Sequence, residues 1–433
     1  MNWSEAIVGA GSRRRSKSCF EVWIAAICLV MSLSVAASGA EDWPHYLGPN
    51  FDLKPGVKEF TAKSATKVWD AKVGTGMCSV TIADGLLYTM GNDGKKEDKD
   101  KSKAKDSVYC LDARTGQEKW TFDYQCVLKP NLHPGGPSST PTIHQGKVYT
   151  ISKEGHIFCL DAKTGEKIWE ASAEQYQVRK AWWGFAASPT IIDDVAIYNA
   201  GDRGLALNKN TGDVLWRSEQ NVVAYATPKP LPAAMFGRPA VALLTNREFL
   251  VLDPATGKSV ATYKKTWQEK SNCNGTTPYI YRGRMYLVHS AHGLSRLSLD
   301  GNEFTQDWLS EDAKFPNEWF AFNTHVIREG NIYFLTKGRG STGMGLICID
   351  AETGKRKSFD DKYDFGNLLG VGDKLIILSE KGELIWGDLG KASFKETHRQ
   401  KILEGLCWSK PVLLGDLLYA RDAEGTVVCL ELK

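Results

Sequence analysis

Hydrophobic and polar residues alternate along most of this chain in short runs that end at Gly or Asp. Thr140 to Asp161 reads TPTIHQGKVYTISKEGHIFCLD and Ser188 to Asn208 reads SPTIIDDVAIYNAGDRGLALN. Alternation of period two broken by turn residues predicts antiparallel strands joined by hairpins. Each such run leads into a recurring phrase. It stands as CLDARTGQEKW at Cys110 to Trp120 and as CLDAKTGEKIW at Cys159 to Trp169. Further copies are LNKNTGDVLW from Leu207, LDPATGKSVA from Leu252 and IDAETGKRKS from Ile349, with shortened forms LDGNEFTQDW from Leu299 and GDLGKASF from Gly387. The turn glycines Gly116, Gly165, Gly212 and Gly257 are 49, 47 and 45 residues apart. Self-similarity at that period marks one supersecondary unit, repeated. The unit reads strand A, turn, strand B, turn, strand C, the DAxTG turn, strand D. In the last turn the Asp accepts backbone hydrogen bonds and the Gly takes positive φ, as a short hairpin loop requires.

Strand A begins near Cys78, Ser139, Ser188, Thr227, Thr277, Thr324, Leu368 and Ser409, which gives eight units. The last, KPVLLGDLLYARDAEGTVVCLELK, contains three strands. Thr66 to Lys72, TKVWDAK, carries the Trp of the phrase without its turn and supplies a fourth. A ring closed by its own N-terminal strand leaves no free sheet edge between its first and last units. The expected fold is therefore all-β, one eight-bladed propeller of four-stranded antiparallel blades over residues 66–433, with the closing strand at 66–72 and an N-terminal extension at 41–65. A linear solenoid would need capping repeats rather than a split one.

The first forty residues have another pattern. Arg13-Arg14-Arg15-Ser16-Lys17 precedes an apolar run from Val22 to Leu33, and small residues follow at Ala36 to Ala40. These are the three parts of a secretory signal peptide. Cleavage after Ala37 or Ala40 gives an exported, periplasmic or secreted chain, and the apolar run is short for a membrane anchor. With 54 Lys and Arg against 51 Asp and Glu, net charge names no partner and shows no nucleic-acid footprint. Of ten cysteines, Cys110, Cys159, Cys348 and Cys429 hold equivalent strand positions as small apolar residues, and only Cys78, Cys126, Cys273 and Cys407 stay open to pairing. There is no zinc spacing and no metal site is expected.

The phrase LDAxTGxxxW in eight four-stranded units resembles the pyrroloquinoline-quinone (PQQ) type propeller repeat. That repeat is shared by quinoprotein alcohol dehydrogenases and by BamB-like outer-membrane protein assembly lipoproteins. Asp42 to Asn50, DWPHYLGPN, is similar to the opening of many exported proteins of this group. The resemblance implies that Trp69, Trp120, Trp169, Trp216 and Trp308 dock neighbouring blades, and that blades four and six, with Ala261 and Ser358 in that position, are held less firmly. It specifies fold rather than function, since the repeat serves enzymes and non-catalytic scaffolds alike.

Function is then expected where the blades differ. Loops from D to A and from B to C share one face, and the irregular sequence collects there: Arg179, Lys180, Trp182, Trp183, Asn274, Glu318, Trp319, Asn323, Trp408 and Lys410, beside His133, Trp267 and Asn272. Aromatics with a few polar groups at a concave mouth form a candidate ligand or partner face. Three motifs carry less. Gly338 to Gly343 satisfies GxGxxG without a following helix, His289 and His292 lack a third ligand, and Asp93 to Asp106 is a mixed-charge loop. The preferred reading is an exported, monomeric, non-catalytic scaffold that binds a protein or peptide in the cell envelope, with no cofactor and no catalytic residue. The alternative is a PQQ-dependent dehydrogenase with calcium. Against it, the chain lacks an adjacent Cys-Cys pair, a CxxCH haem motif and an assignable calcium set. Ala40-Glu41 also offers no lipobox cysteine.

Overall fold

The computed structural model describes residues 42–57, 59–95, 100–130, 133–178, 180, 182–218, 225–266, 274–289, 293–311, 325–337 and 344–433. Residues 1–40, expected to be a signal peptide, lie outside them. Among the described residues the strands form eight four-stranded antiparallel units in the order A-B-C-D, the fourth and fifth joined into one eight-stranded sheet, and the first being Thr81–Ala83, Leu86–Asn92, Lys105–Asp112 and Glu118–Gln125. The last unit takes its fourth strand from Ala65–Lys72, which pairs antiparallel with Thr426–Leu432. That is the split blade the sequence predicts.

Blades are joined at the DAxTG turns by a contact that explains the phrase. The Trp69 indole Nε1 donates to the Ala113 carbonyl at 3.1 Å, Trp120 to Ala162 at 3.0 Å, Trp169 to Lys209 at 2.9 Å, Trp216 to Pro254 at 2.7 Å and Trp308 to Glu352 at 2.9 Å. Each ring covers the turn glycine of the following blade. A Cβ on Gly116 would stand 2.6 Å from the Trp69 ring, and one on Gly165 the same distance from Trp120. So the glycine serves both the turn and the approach of the neighbour.

A second donor meets most of these carbonyls. Tyr419 Oη donates to Ala113 O at 3.1 Å, Tyr88 to Ala162 O at 3.1 Å and Tyr149 to Lys209 O at 3.2 Å, while Tyr286 reaches Ala351 O at 3.1 Å. These tyrosines lie on strand B, and each packs on the Trp of its own blade with ring centroids 6.0 to 6.1 Å apart. Burial of a large aromatic with its polar end satisfied is a strong and specific fastening.

Where the Trp is missing, other contacts serve. Beside Ala261 the outer strands of blades four and five, Ser259–Tyr263 and Glu303–Leu309, pair in parallel, with Thr262 opposite Glu303 and Tyr263 opposite Phe304. Blade six, with Ser358, holds blade seven through strand B: Tyr333 Oη donates to Gly390 O at 3.3 Å and Asn331 Nδ2 to Lys391 O at 3.0 Å. These two blades thus have fastenings of their own, which a reading based on the Trp alone misses. At the closure, the buried Arg421 guanidinium donates to Thr89 Oγ1 and Met90 O, both at 2.7 Å, and to Gly76 O at 3.2 Å.

The extension makes a circuit inside the ring on the DAxTG side. Trp43 bridges to Ile82 in blade one, Pro44 O accepts from Ile143 N in blade two, and His45 Nε2 lies 3.0 Å from Pro189 O in blade three. Phe51 O accepts from Lys229 Nζ in blade four, and Ala62 O accepts from Trp386 Nε1 in blade seven. All seven cysteines among the described residues are buried and free, Cys78, Cys126 and Cys407 included. Cys273 lies outside the described residues.

Gly85 and Gly116 offer a matched test, because both have φ above +70° and only Gly116 lies under a Trp. Gly85→Ala is expected to cost about 1 kcal/mol from backbone strain alone. Gly116→Ala should cost about 2 kcal/mol more, because the Trp69 ring must shift. Urea midpoints of the two variants measure the difference.

Candidate functional site

On the face opposite the DAxTG turns, the beginnings of the inner strands surround a cup. Its rim is built from hydroxyl residues that bond from blade to blade. Ser79 N donates to Thr140 Oγ1 at 2.9 Å, Thr140 N to Ser188 Oγ at 3.1 Å and Ser188 N to Thr227 Oγ1 at 3.1 Å, while Ser79 Oγ donates to Lys410 O at 2.6 Å. Prolines follow at Pro141, Pro189, Pro228 and Pro411, where the strand needs no N–H. The rim hydroxyls are therefore largely engaged in holding the ring.

Aromatic rings form the walls. Trp183 and Tyr225 lie with centroids 6.0 Å apart, and Trp183 N donates to Tyr225 Oη at 3.3 Å. Trp408 is fixed opposite them by its Nε1, which donates to Glu380 Oε2 at 3.0 Å, and by an edge contact with Phe365. The same Glu380 pairs with Lys337 at 2.6 Å, and that ammonium stands 5.4 Å from the Trp408 ring. Tyr46 reaches the cup from the N-terminal circuit, and Lys410 Nζ stands 4.6 Å from its ring centroid. The space within the cup is about 160 Å³.

Charge here is one-sided. No Asp or Glu lines the cup among the described residues. Lys410 is buried, and its Nζ has no hydrogen-bond partner among the described residues. Burial, with Lys229 adding repulsion, pushes its amine well below the usual lysine range. Lys229 is lowered to about 8 by burial but keeps the Phe51 carbonyl and the Tyr279 ring, 5.5 Å away, as partners. His45 and His325 are both held at about 3 by burial, so both imidazoles are neutral. His133 on the wall falls to about 4 for the same reason.

The structure distributes the sequence-predicted residues unevenly. Trp183, Trp408 and Lys410 meet at the cup. Trp182, beside the rim, is 81% exposed. Lys180 pairs with Glu154, which also holds Lys129 at 2.9 Å, and takes no part in the cup. Asn274 is fully buried rather than presented to a ligand, and its amide donates to Thr245 O at 2.9 Å. Arg179, Glu318, Trp319 and Asn323, with Trp267 and Asn272, lie outside the described residues, as do His292 and Gly338 to Gly343. Sequence reasoning missed Tyr46, Lys229 and His325. The density of aromatic and turn residues in DWPHYLGPN, high for a solvated extension, was the available signal for Tyr46.

By sequence, the family described as outer membrane protein assembly factor BamB matches residues 104–358, more than half of the chain. The chain belongs to that family. Among curated proteins, none matches it. Solved structures of the BamB propeller type resemble it throughout. BamB from Moraxella catarrhalis is 14% identical with a TM-score of 0.60, covering 86% of this chain and 98% of that one. A quinohemoprotein alcohol dehydrogenase from Comamonas testosteroni is 13% identical with a TM-score of 0.64, covering 90% and 80%. A europium-containing methanol dehydrogenase is 11% identical with a TM-score of 0.65, covering 91% and 99%. At such identities the likeness establishes the fold shared by BamB and the quinone enzymes, and no chemistry.

The neutral histidines set an acid limit. Their folded values of about 3 lie below the ordinary 6.5, so the unfolded chain binds protons that the folded chain does not. Stability is full above pH 6.5 and falls as pH drops toward 3. His325→Phe keeps the edge contact with Tyr279 and removes one of these groups. Urea unfolding from pH 7 to pH 4 should show a shallower acid loss in His325→Phe than in the parent.

Proposed function

We propose that this BamB-family propeller is a non-catalytic scaffold of the cell envelope, exported by its leader, that binds a protein or peptide partner on the face where the cup opens. The observation that carries this reading is the donor set of the cup. A calcium ion beside a quinone needs several oxygen ligands, carboxylates among them. The described cup offers a buried lysine, aromatic rings and rim hydroxyls already bonded between blades. Among the described residues this donor set does not fit a calcium-bound quinone.

The binding reading draws on the same geometry. Trp182 stands exposed beside walls that neighbouring contacts fix, and a large aromatic presented on a rigid frame is the usual anchor of an interface. The hydroxyl rim and the N-terminal circuit supply that rigidity without reserving a reactive group.

Titration calorimetry of the protein with pyrroloquinoline quinone, with and without calcium, tests the proposal. The expected result is no calcium-dependent binding. Tight binding that needs calcium and is lost in Trp183→Ala would overturn the scaffold reading in favour of a quinone-dependent dehydrogenase.

A further inference from the structure

Lys410 is fixed by the ring rather than by its charge. Its carbonyl accepts Ser79 Oγ across the junction of blades eight and one, so the residue sits where the ring closes. Its amine lines the cup, buried and without a hydrogen-bond partner among the described residues. A buried amine with no counter-charge among the described residues is driven toward its neutral form unless an anion comes to it. Among the described residues, the groups that face it or act on it are Tyr46, Lys229, His45 and His325, and none is an acid. Lys229, the other buried lysine of the channel, has a carbonyl and a ring to rest on.

We propose that the cup binds a small organic monocarboxylate, its carboxylate paired with the Lys410 ammonium and its apolar body between Trp183, Tyr225 and Trp408. The size follows from the space of about 160 Å³, and an apolar cavity of about 150 Å³ is known to take one benzene ring. A single amine, without a second donor cluster beside it, matches one negative charge rather than a phosphate dianion. The walls favour a flat or compact apolar body. The site stands apart from the scaffold reading, because a partner meets the rim while the acid sits at the base.

The test is calorimetric titration of the protein with benzoate, with benzamide as its neutral counterpart and with sulfate as an anion lacking the apolar body. Benzoate should saturate at millimolar concentration, with benzamide at least about ten-fold weaker and sulfate showing no saturation. Lys410→Met should remain folded, having lost a buried amine that makes no hydrogen bond among the described residues, and should bind benzoate no better than benzamide. Ala186→Phe, which fills the cup from its wall and leaves Lys410 in place, should abolish benzoate binding. Affinity should fall as pH rises and the amine loses its proton. Equal binding of benzoate and benzamide, absence of saturation, or full benzoate affinity in Ala186→Phe would each overturn the proposal. Should Lys410→Met fail to fold, the benzoate to benzamide ratio of the parent and the Ala186→Phe result still decide it.

Discussion

The ring depends on one arrangement: a turn carbonyl that accepts an indole N–H from the preceding blade, with the turn glycine lying flat beneath the indole. A four-stranded blade alone has two apolar faces and two open edges. The indole covers part of the face and bonds the turn at the same time, and in blades one, two and eight a strand B tyrosine converges on the same carbonyl. Each such hydrogen bond contributes only about 1 kcal/mol net. Leaving the carbonyl buried without them would cost more, so the donors and the packing act as a unit.

This explains the distribution of exceptions. At Ala261 the indole is absent and the next turn is the short one at Gly301, which has nothing packed near its missing Cβ. The outer strands have moved close enough there to pair in parallel. The loss of the Trp and the shortening of the turn it would cover are one structural change.

Much of the fold was legible because backbone geometry repeats in the sequence. Strand alternation, the DAxTG turns and the split blade are all local patterns, and the glycines show in any single copy. What the glycine packs against does not show, because Trp69 and Gly116 are 47 residues apart. The strand B tyrosines were present in KVYT, LLYT and LLYA but read as ordinary strand residues. The site was less legible. Asn274 looked like a ligand contact in an irregular loop, yet its amide holds a backbone carbonyl. Lys410 was expected on the binding face and does line the cup, but its burial at the ring closure was not legible. His325 sits at a strand entry that nothing in its neighbours distinguishes, and residues 52–57 of the circuit line the space beside it.

The circuit also occupies part of the DAxTG side. With the extension bonded to blades one to four and seven on the DAxTG side, the cup and the exposed Trp182 are left on the opposite face. The most direct measurement is photo-crosslinking in the cell envelope from an azido-phenylalanine at position 182, compared with one at Ile168 on an outer strand. Defined polypeptide adducts from 182 and none from 168 are the predicted result. No adduct from 182, or the same adducts from both positions, would contradict a partner-binding face at the cup.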